Sequence, residues 1–296
     1  MKALCFGSLN IDFTYRVNHF VGRGETLLSE NLQVFSGGKG LNQSVALSRA
    51  GLPTYHAGAV GEDGRFLLQQ LRRAGVDTAC VDVRQDVRTG HAIIQNTPDG
   101  DNCILLYGGA NQAITKEQID AVLSQFAAGD LLVLQNEINE LAYLMERACE
   151  RGLRIALNPS PMNGSVAALP LHTVTWLILN EVEAAQILDA CVTDGAAAAR
   201  ALHEKLPRTA IVLTVGKNGS YYDDGVQQVY QSAFPVCAVD TTAAGDTYTG
   251  YFLAGVAEGL AVQSAMALAA KAAAISVTRC GAAPSIPDRA EVEAFT

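Results

Sequence analysis

The 296-residue chain has no run of about 18 uninterrupted apolar residues, and nothing behind its N-terminal Met-Lys resembles the apolar core of a secretory leader. A membrane span and a signal peptide are therefore not expected. The alanine-rich stretch 265–277 is short and is broken by Lys271, so it reads as a helix packed on a sheet. Positive charge is also scarce: 21 lysines and arginines stand against 30 aspartates and glutamates, a net charge of −9. That balance lacks the broad basic footprint a nucleic-acid backbone requires, although a single phosphate can still be held by backbone N–H groups. The seven cysteines (Cys5, Cys80, Cys103, Cys149, Cys191, Cys237 and Cys280) are scattered and form no Cys-x-x-Cys pair. Neither a disulfide framework nor a zinc site is expected, and reduced thiols in a cytoplasmic chain are. His19, His56, His91, His172 and His203 form no spaced cluster and read as structural or surface residues. No Gly-x-Gly-x-x-Gly follows the first strand-like run, which argues against a dinucleotide-binding dehydrogenase. A Walker A loop is missing too. Around Gly38-Lys39, Gln33 stands where its first glycine belongs and Gly40 where its Ser or Thr belongs.

What is present is a sizeable apolar fraction, 49% against 17% charged, enough for one large domain core. Short apolar runs at Ala3–Phe6, Leu131–Leu134, Ile155–Leu157, Trp176–Leu179 and Ala210–Thr214 alternate with helical periodicity at 117–127, 139–151, 181–190 and 194–206. Strand–helix–strand alternation predicts a mostly parallel sheet covered on both faces, a three-layer α/β/α architecture with ligands at the carboxyl ends of the strands. Two stretches break the rhythm. Residues 13–36 contain two short β-like runs, and 89–107 read as a hairpin around Pro98-Asp99-Gly100-Asp101. They predict a small separate β-sheet, a lid or dimer surface, set on a main domain of 1–12, 37–88 and 108–296.

The segment Asp240-Thr241-Thr242-Ala243-Ala244-Gly245-Asp246-Thr247 precedes an apolar helical stretch. Small residues permit close backbone approach, Gly245 permits an unusual backbone angle, and the N–H groups of a helix start attract anions. Such a nest suits the charge that builds on a phosphoryl group in transfer, and Asp246 beside it can take the proton of an attacking hydroxyl. An ordinary helix cap after a glycine-containing turn would look the same in sequence. Gly37-Gly38-Lys39-Gly40-Leu41-Asn42 leads into a second helix. Asn10 and Asp12, at i and i+2 on an extended segment, share a face where they can read vicinal hydroxyls. Asn180 and Glu183, three apart at a helix start, share a face suited to hydrated Mg²⁺, or form a cap.

These segments, in this order, resemble the pfkB family of carbohydrate kinases, in its ribokinase branch, over almost the whole chain. The resemblance implies a ribokinase-like fold and transfer from ATP to a primary hydroxyl of a small sugar, most directly D-ribose. Deoxyribose, a nucleoside, fructose or another sugar stay open as acceptors, and a non-catalytic sensor is the competing class. Asp246 is the implied base, and Ala243, Ala244 and Gly245 the anion hole. Asn10, Asp12, Gly38, Lys39, Asn42, Glu137 and Asp246 itself are the implied sugar contacts, although Asn136 stands where an apolar residue is expected. Asn180, Thr214, Gly216, Gly219 and Gly245 are implied at the nucleotide, with Asn180 and Glu183 reaching its Mg²⁺ through water. The tail Val277 to Ser285 matches the branch closely. It implies a monovalent cation, K⁺, near Asp240, Thr242, Ser276, Arg279, Gly281 and Ser285, several of them through backbone oxygens. Apart from the resemblance, pairing two such lid sheets would cover their exposed edges and apolar faces, so a homodimer through them is expected.

Overall fold

In the computed structural model, which describes residues 1–295, two sheets carry the chain. The large one begins with β1 (Ala3–Phe6). The chain then leaves it through β2 (Asn10–Arg16) and β3 (Asn31–Gly37) and returns along α1 (Lys39–Arg49). β4 (Thr54–Gly61), α2 (Arg65–Arg73) and β5 (Asp77–Arg84) extend the large sheet on one side of β1. A hairpin of β6 (Gly90–Asn96) and β7 (Asn102–Tyr107) leaves it again. The chain then runs α3 (Lys116–Leu123), β8 (Leu131–Gln135), α4 (Leu141–Glu150), β9 (Arg154–Asn158), β10 (Val174–Asn180), α5 (Glu181–Leu188), α6 (Gly195–Lys205) and β11 (Ala210–Thr214). β12 (Ser220–Asp223), β13 (Gln228–Gln231), α7 (Ala244–Ala257), α8 (Val262–Ser276) and α9 (Arg289–Ala294) complete it.

The large sheet has the order β13-β12-β11-β10-β9-β8-β1-β4-β5. It is parallel from β11 to β5, and only β12 and β13 are antiparallel. Its central strands β1, β8, β9, β10 and β11 are largely apolar because both faces are covered. Ala3 and Cys5 of β1 belong to a core under α1, α2, α7 and α8, while Leu4 and Phe6 belong to a second core under α3 to α6. Adjacent strand residues point to opposite faces, so two cores require two interleaved apolar sets. β1 lies between β4 and β8, which continue the sheet in opposite directions. This is a topological switch point, where the connections diverge and leave a crevice at the carboxyl ends of the strands.

The small sheet, order β3-β2-β6-β7, starts at that crevice. Only Gly7, Ser8 and Leu9 separate β1 from β2, which pairs with β6 in parallel from Asn10↔Gly90 to Arg16↔Asn96. Its strands span 10–16, 31–37, 90–96 and 102–107, so β2 begins at Asn10 and carries both Asn10 and Asp12. Leu32, Val34 and Phe35 of β3 and Ile104 to Tyr107 of β7 are exposed.

The apolar runs at 3–6, 131–134, 155–157, 176–179 and 210–214 are all strands here. β4, β5, α2 and the edge pair β12–β13 are additions that the runs alone did not mark.

Candidate active site

At the switch point the loop after β1 and the start of α1 press together. Gly38 sits at φ 97°, in the left-handed region, and a Cβ on Gly40 would lie 2.4 Å from Ser8 N. Glycine is required at both places, one for conformation and one for space. The approach lets Leu41 N donate to Ser8 O (3.0 Å) and Gly40 N to Ser8 Oγ (3.3 Å). Ser8 Oγ in turn donates to Glu137 Oε2, which also accepts from Lys39 N at 3.0 Å. Glu137 follows β8, so one carboxylate ties the ends of β1, β8 and α1.

Asn42 and Gln43 lie in the first turns of α1 and reach Asp246 in the first turn of α7. Asn42 Nδ2 donates to Asp246 Oδ2 at 3.0 Å, and Gln43 Nε2 to Asp246 Oδ1 at 2.9 Å. Asp246 is only 7% exposed, yet Gly245 beside it is open to solvent. Asn42 Oδ1 is buried without a partner among the described residues, which leaves it an acceptor for a ligand hydroxyl. Asn10 Oδ1 accepts from Asn111 Nδ2 at 2.7 Å, so the donor half of its amide is the part left for a ligand. Asp12 packs against Gly37, where a Cβ would stand 2.0 Å from Asp12 Oδ2.

The start of α7 departs from the expectation in one respect. The unusual backbone belongs to Ala243, at φ 60° and ψ 10°, and not to Gly245. What Gly245 supplies is room, since a Cβ there would meet nothing within 4 Å. The kinked Ala243 turns the chain into the helix, with Thr247 N donating to Ala243 O at 2.8 Å. Ala244 N is engaged with Thr241 O at 3.2 Å, so the N–H groups of Gly245 and Asp246 are those a helix start leaves for an anion.

On the nucleotide side of the expectation, Asn180 and Thr214 end β10 and β11 as direct parallel partners. Asn180 Oδ1 accepts from Val182 N and Glu183 N, both at 2.9 Å, while Glu183 Oε2 accepts from Asn180 N at 3.0 Å. This capping box engages two of the side-chain atoms expected near Mg²⁺, Asn180 Oδ1 and Glu183 Oε2, and leaves Asn180 Nδ2 and the second Glu183 oxygen. Gly216 (φ 54°) and Gly219 (φ 94°) form the turn into β12. Asp240 joins the two loops of the expected cation site. Its Oδ1 accepts from Thr242 N (2.9 Å) and Thr242 Oγ1 (2.6 Å), and its Oδ2 from Gly281 N (2.8 Å). The Arg279 guanidinium turns away to Glu291 at 2.9 Å, and the Ser276 and Ser285 hydroxyls donate to Ala273 O and Ala282 O, both at 2.8 Å. Arg279 can therefore offer only its carbonyl there, whereas the two serine hydroxyls keep lone pairs.

The carboxylates crowd one cation. Burial alone would lower the pKa of Lys39, but Asp246, Glu137 and Glu183 outweigh it and raise it, so the ammonium stays charged. Burial pushes the Glu137 carboxyl up, against the hydrogen bond from Ser8 and the charge of Lys39. Burial, reinforced by Glu137, raises Asp12 to about 6. Among the described residues no group of three or more His, Cys, Asp or Glu could hold a metal ion.

Ser8, Gln43, Asn111 and Gln135 belong to this site and carry no motif. Their one sequence signal is polarity inside otherwise buried stretches such as 40–47.

A carboxylate at a solvent-open helix start, beside free N–H groups and at a switch point, suits a phosphotransferase acting on an alcohol. Residues 1–289 match the family described as pfkB family carbohydrate kinase, and the chain belongs to that family. A ribokinase from Haemophilus influenzae is 33% identical over 296 residues, covering 98% of this chain and 96% of its own. The structure of ribokinase from Cryptococcus neoformans var. grubii serotype A in complex with ADP matches with a TM-score of 0.86 and 33% identity, covering 100% of this chain and 99% of that one. Arabidopsis thaliana ribokinase complexed with ribose and ATP matches with a TM-score of 0.88 and 28% identity, covering 99% and 98%. No helix among the described residues is long and apolar enough to cross a membrane.

Proposed function

We propose that this protein transfers the γ-phosphoryl group of ATP to a primary hydroxyl of a small sugar, D-ribose giving ribose 5-phosphate. The observation that carries the reading is Asp246: nearly buried, held by two amides, and next to the open start of α7. Asp246 takes the proton of the acceptor hydroxyl, and the N–H groups around Gly245, with Ala243 and Ala244 shaping the turn, hold the charge of the phosphoryl in flight. Asn10, Asp12, Gly38, Lys39, Asn42 and Glu137 orient the sugar. Asn180, Thr214, Gly216 and Gly219 bound the nucleotide. Mg²⁺ carried by the ATP phosphates offsets their charge, and Asn180 and Glu183 reach it through its waters.

The loops joined by Asp240 fit a hard monovalent cation, K⁺, bound by carbonyl and hydroxyl oxygens of Asp240, Thr242, Ser276, Arg279, Gly281 and Ser285. Such a cation orders the turn that leads into α7 without touching phosphate. A steady-state ADP-release assay tests both readings, run with ribose, deoxyribose, fructose and nucleosides, in K⁺ and in choline salts. Ribose is expected to give the largest kcat/KM, and K⁺ to raise kcat several-fold. Binding of sugar without turnover for every acceptor would instead favour a sensor.

The small sheet acts as a lid that excludes water from the transfer. Its two edge strands expose apolar side chains, Leu32 and Val34 on β3 and Ile104, Leu105 and Leu106 on β7, and these fit a second copy of the chain, since pairing covers edges and apolar surface together. A monomer in sedimentation equilibrium at micromolar concentration would remove that reading. Location in the cytoplasm accompanies both substrates.

Asp12 gives a pH prediction. Its pKa rises from the ordinary 3.8 to about 6 through burial. Between about pH 4 and 6 the folded chain holds a proton there that the unfolded chain has lost, so stability falls as pH rises through 6. Asp12→Asn removes that penalty. The ligand-free variant is expected to melt above wild type at pH 7.5 but with an acceptor KM about tenfold or more higher. In the wild type, acceptor KM rises on acidification below about pH 6, as Asp12 loses its charge. A lower Tm for the variant at pH 7.5 would contradict the burial argument.

A further inference from the structure

Behind Asp246 runs a line of buried side chains that none of these roles uses. Gln43 Nε2 donates to Asp246 Oδ1 at 2.9 Å, and Gln43 Oε1 accepts from Gln135 Nε2 at 2.6 Å. The same Gln135 nitrogen lies 3.6 Å from Cys5 Sγ, and Cys5 Sγ donates to Gly40 O at 3.3 Å. Cys5, Gln43 and Gln135 have no solvent exposure. Burial pushes the Cys5 thiol up to about 11, so it keeps the proton it donates.

The line has a direction. A carboxylate oxygen accepts, so Gln43 must turn its amide nitrogen to Asp246 and its carbonyl away. Gln135 must then turn its own nitrogen to Gln43. Its carbonyl is left at the far end, buried and without a partner among the described residues. That oxygen lies where a Cβ on Gly7 would come within 2.2 Å of it, so glycine at the end of β1 leaves the room. Reversing Gln135 would satisfy its carbonyl no better and would set two carbonyl oxygens against each other at Gln43. The arrangement is consistent only when read outward from the Asp246 carboxylate.

We propose that Gln43 is a positioning residue for phosphoryl transfer, and that Gln135 locks it. Gln43 holds Oδ1 from the side of the core and so fixes the carboxylate plane. Together with Asn42 on Oδ2, it leaves the carboxylate one orientation toward the acceptor hydroxyl. A carboxylate free to rotate spends less time within reach of that hydroxyl, which lowers kcat without loosening the sugar. This inference rests on Asp246 being the base.

The test is a double-mutant cycle of Gln43→Met and Asp246→Asn, reading kcat, acceptor KM and Tm. Gln43→Met keeps the volume and removes the donor. Its kcat is expected to fall about 10- to 100-fold, with acceptor KM within about threefold of wild type. In the Asp246→Asn background the same change is expected to lower kcat by less than about twofold, because the group it positions is gone. A near-wild-type rate for Asp246→Asn would sink the base reading and this inference with it. A collapse of Asp246→Asn combined with an unchanged kcat for Gln43→Met, or an equal loss in both backgrounds, would overturn the positioning role alone. If Gln43→Met does not fold, Gln135→Met carries the test, since it leaves the Asp246 contact and frees the far end of Gln43. A smaller drop in kcat, again lost in the Asp246→Asn background, is expected, and a wild-type kcat overturns the proposal.

Discussion

Asp246→Asn is expected to lower kcat by about 10²–10⁴-fold while acceptor KM changes only a few-fold. Asparagine has the shape of aspartate and fills the same space in the first turn of α7, so the packing around Thr247 and Tyr248 is retained. It cannot take a proton from the attacking hydroxyl. Asn42 and Gln43 both donate to the carboxylate, at 3.0 and 2.9 Å, so one of them must rotate its amide to meet the new side chain. Apart from Asn42, the proposed sugar contacts come from β2, the start of α1 and the end of β8, away from Asp246, and those of Asn10, Asp12, Lys39 and Glu137 persist. The expected split is therefore a rate effect with little binding effect. Equal losses in KM and in rate would mean that Asp246 holds the sugar and does not act on its proton.

Gly245→Val is the second large effect, and it separates the anion nest from the fold. A Cβ at Gly245 meets no atom within 4 Å, and the residue is exposed, so valine collides with nothing in the free protein. Valine is a slightly better helix former than glycine, by roughly a few tenths of a kcal/mol, so Tm is expected to change by no more than about 2 °C. The branched side chain would instead stand in the open space before the helix N–H groups, where the phosphoryl must dock. Losing one such donor typically costs about 10²–10³ in kcat, and blocking the nest should cost at least that. Gly245→Ala is expected to fall between wild type and valine. An active Gly245→Val with an intact melting transition would show that the start of α7 is an ordinary helix end.

The central strands were legible because burial on both faces writes them as unbroken apolar runs, and β1, β8, β10 and β11 follow those runs closely. β5, on the edge, mixes charge with apolar residues in Asp-Thr-Ala-Cys-Val-Asp-Val-Arg. β4 carries Tyr55, His56 and two glycines, so neither shows a clean period. At the site, whatever is local in sequence could be read: Asp246 at a helix start, and the Asn180–Glu183 box. Contacts created by strand order could not. Ser8 meets Glu137 across 129 positions, and Gln43 meets Gln135 across 92. Only the adjacency of β1 and β8 and the seat of α1 upon them bring these together. The start of α7 teaches a finer point. Glycine in the motif suggested an unusual backbone angle, whereas the structure puts the angle on Ala243 and uses Gly245 for empty space.

The most direct test is a proton-coupled ³¹P NMR spectrum of the products formed from ATP and ribose in the presence of Mg²⁺ and K⁺. One phosphomonoester signal split by the two protons of a primary carbon, growing with ADP and missing with Asp246→Asn, is the predicted result. Inorganic phosphate and ADP as the only products, or a phosphoester coupled to a single proton, would contradict transfer to a primary hydroxyl at this carboxylate.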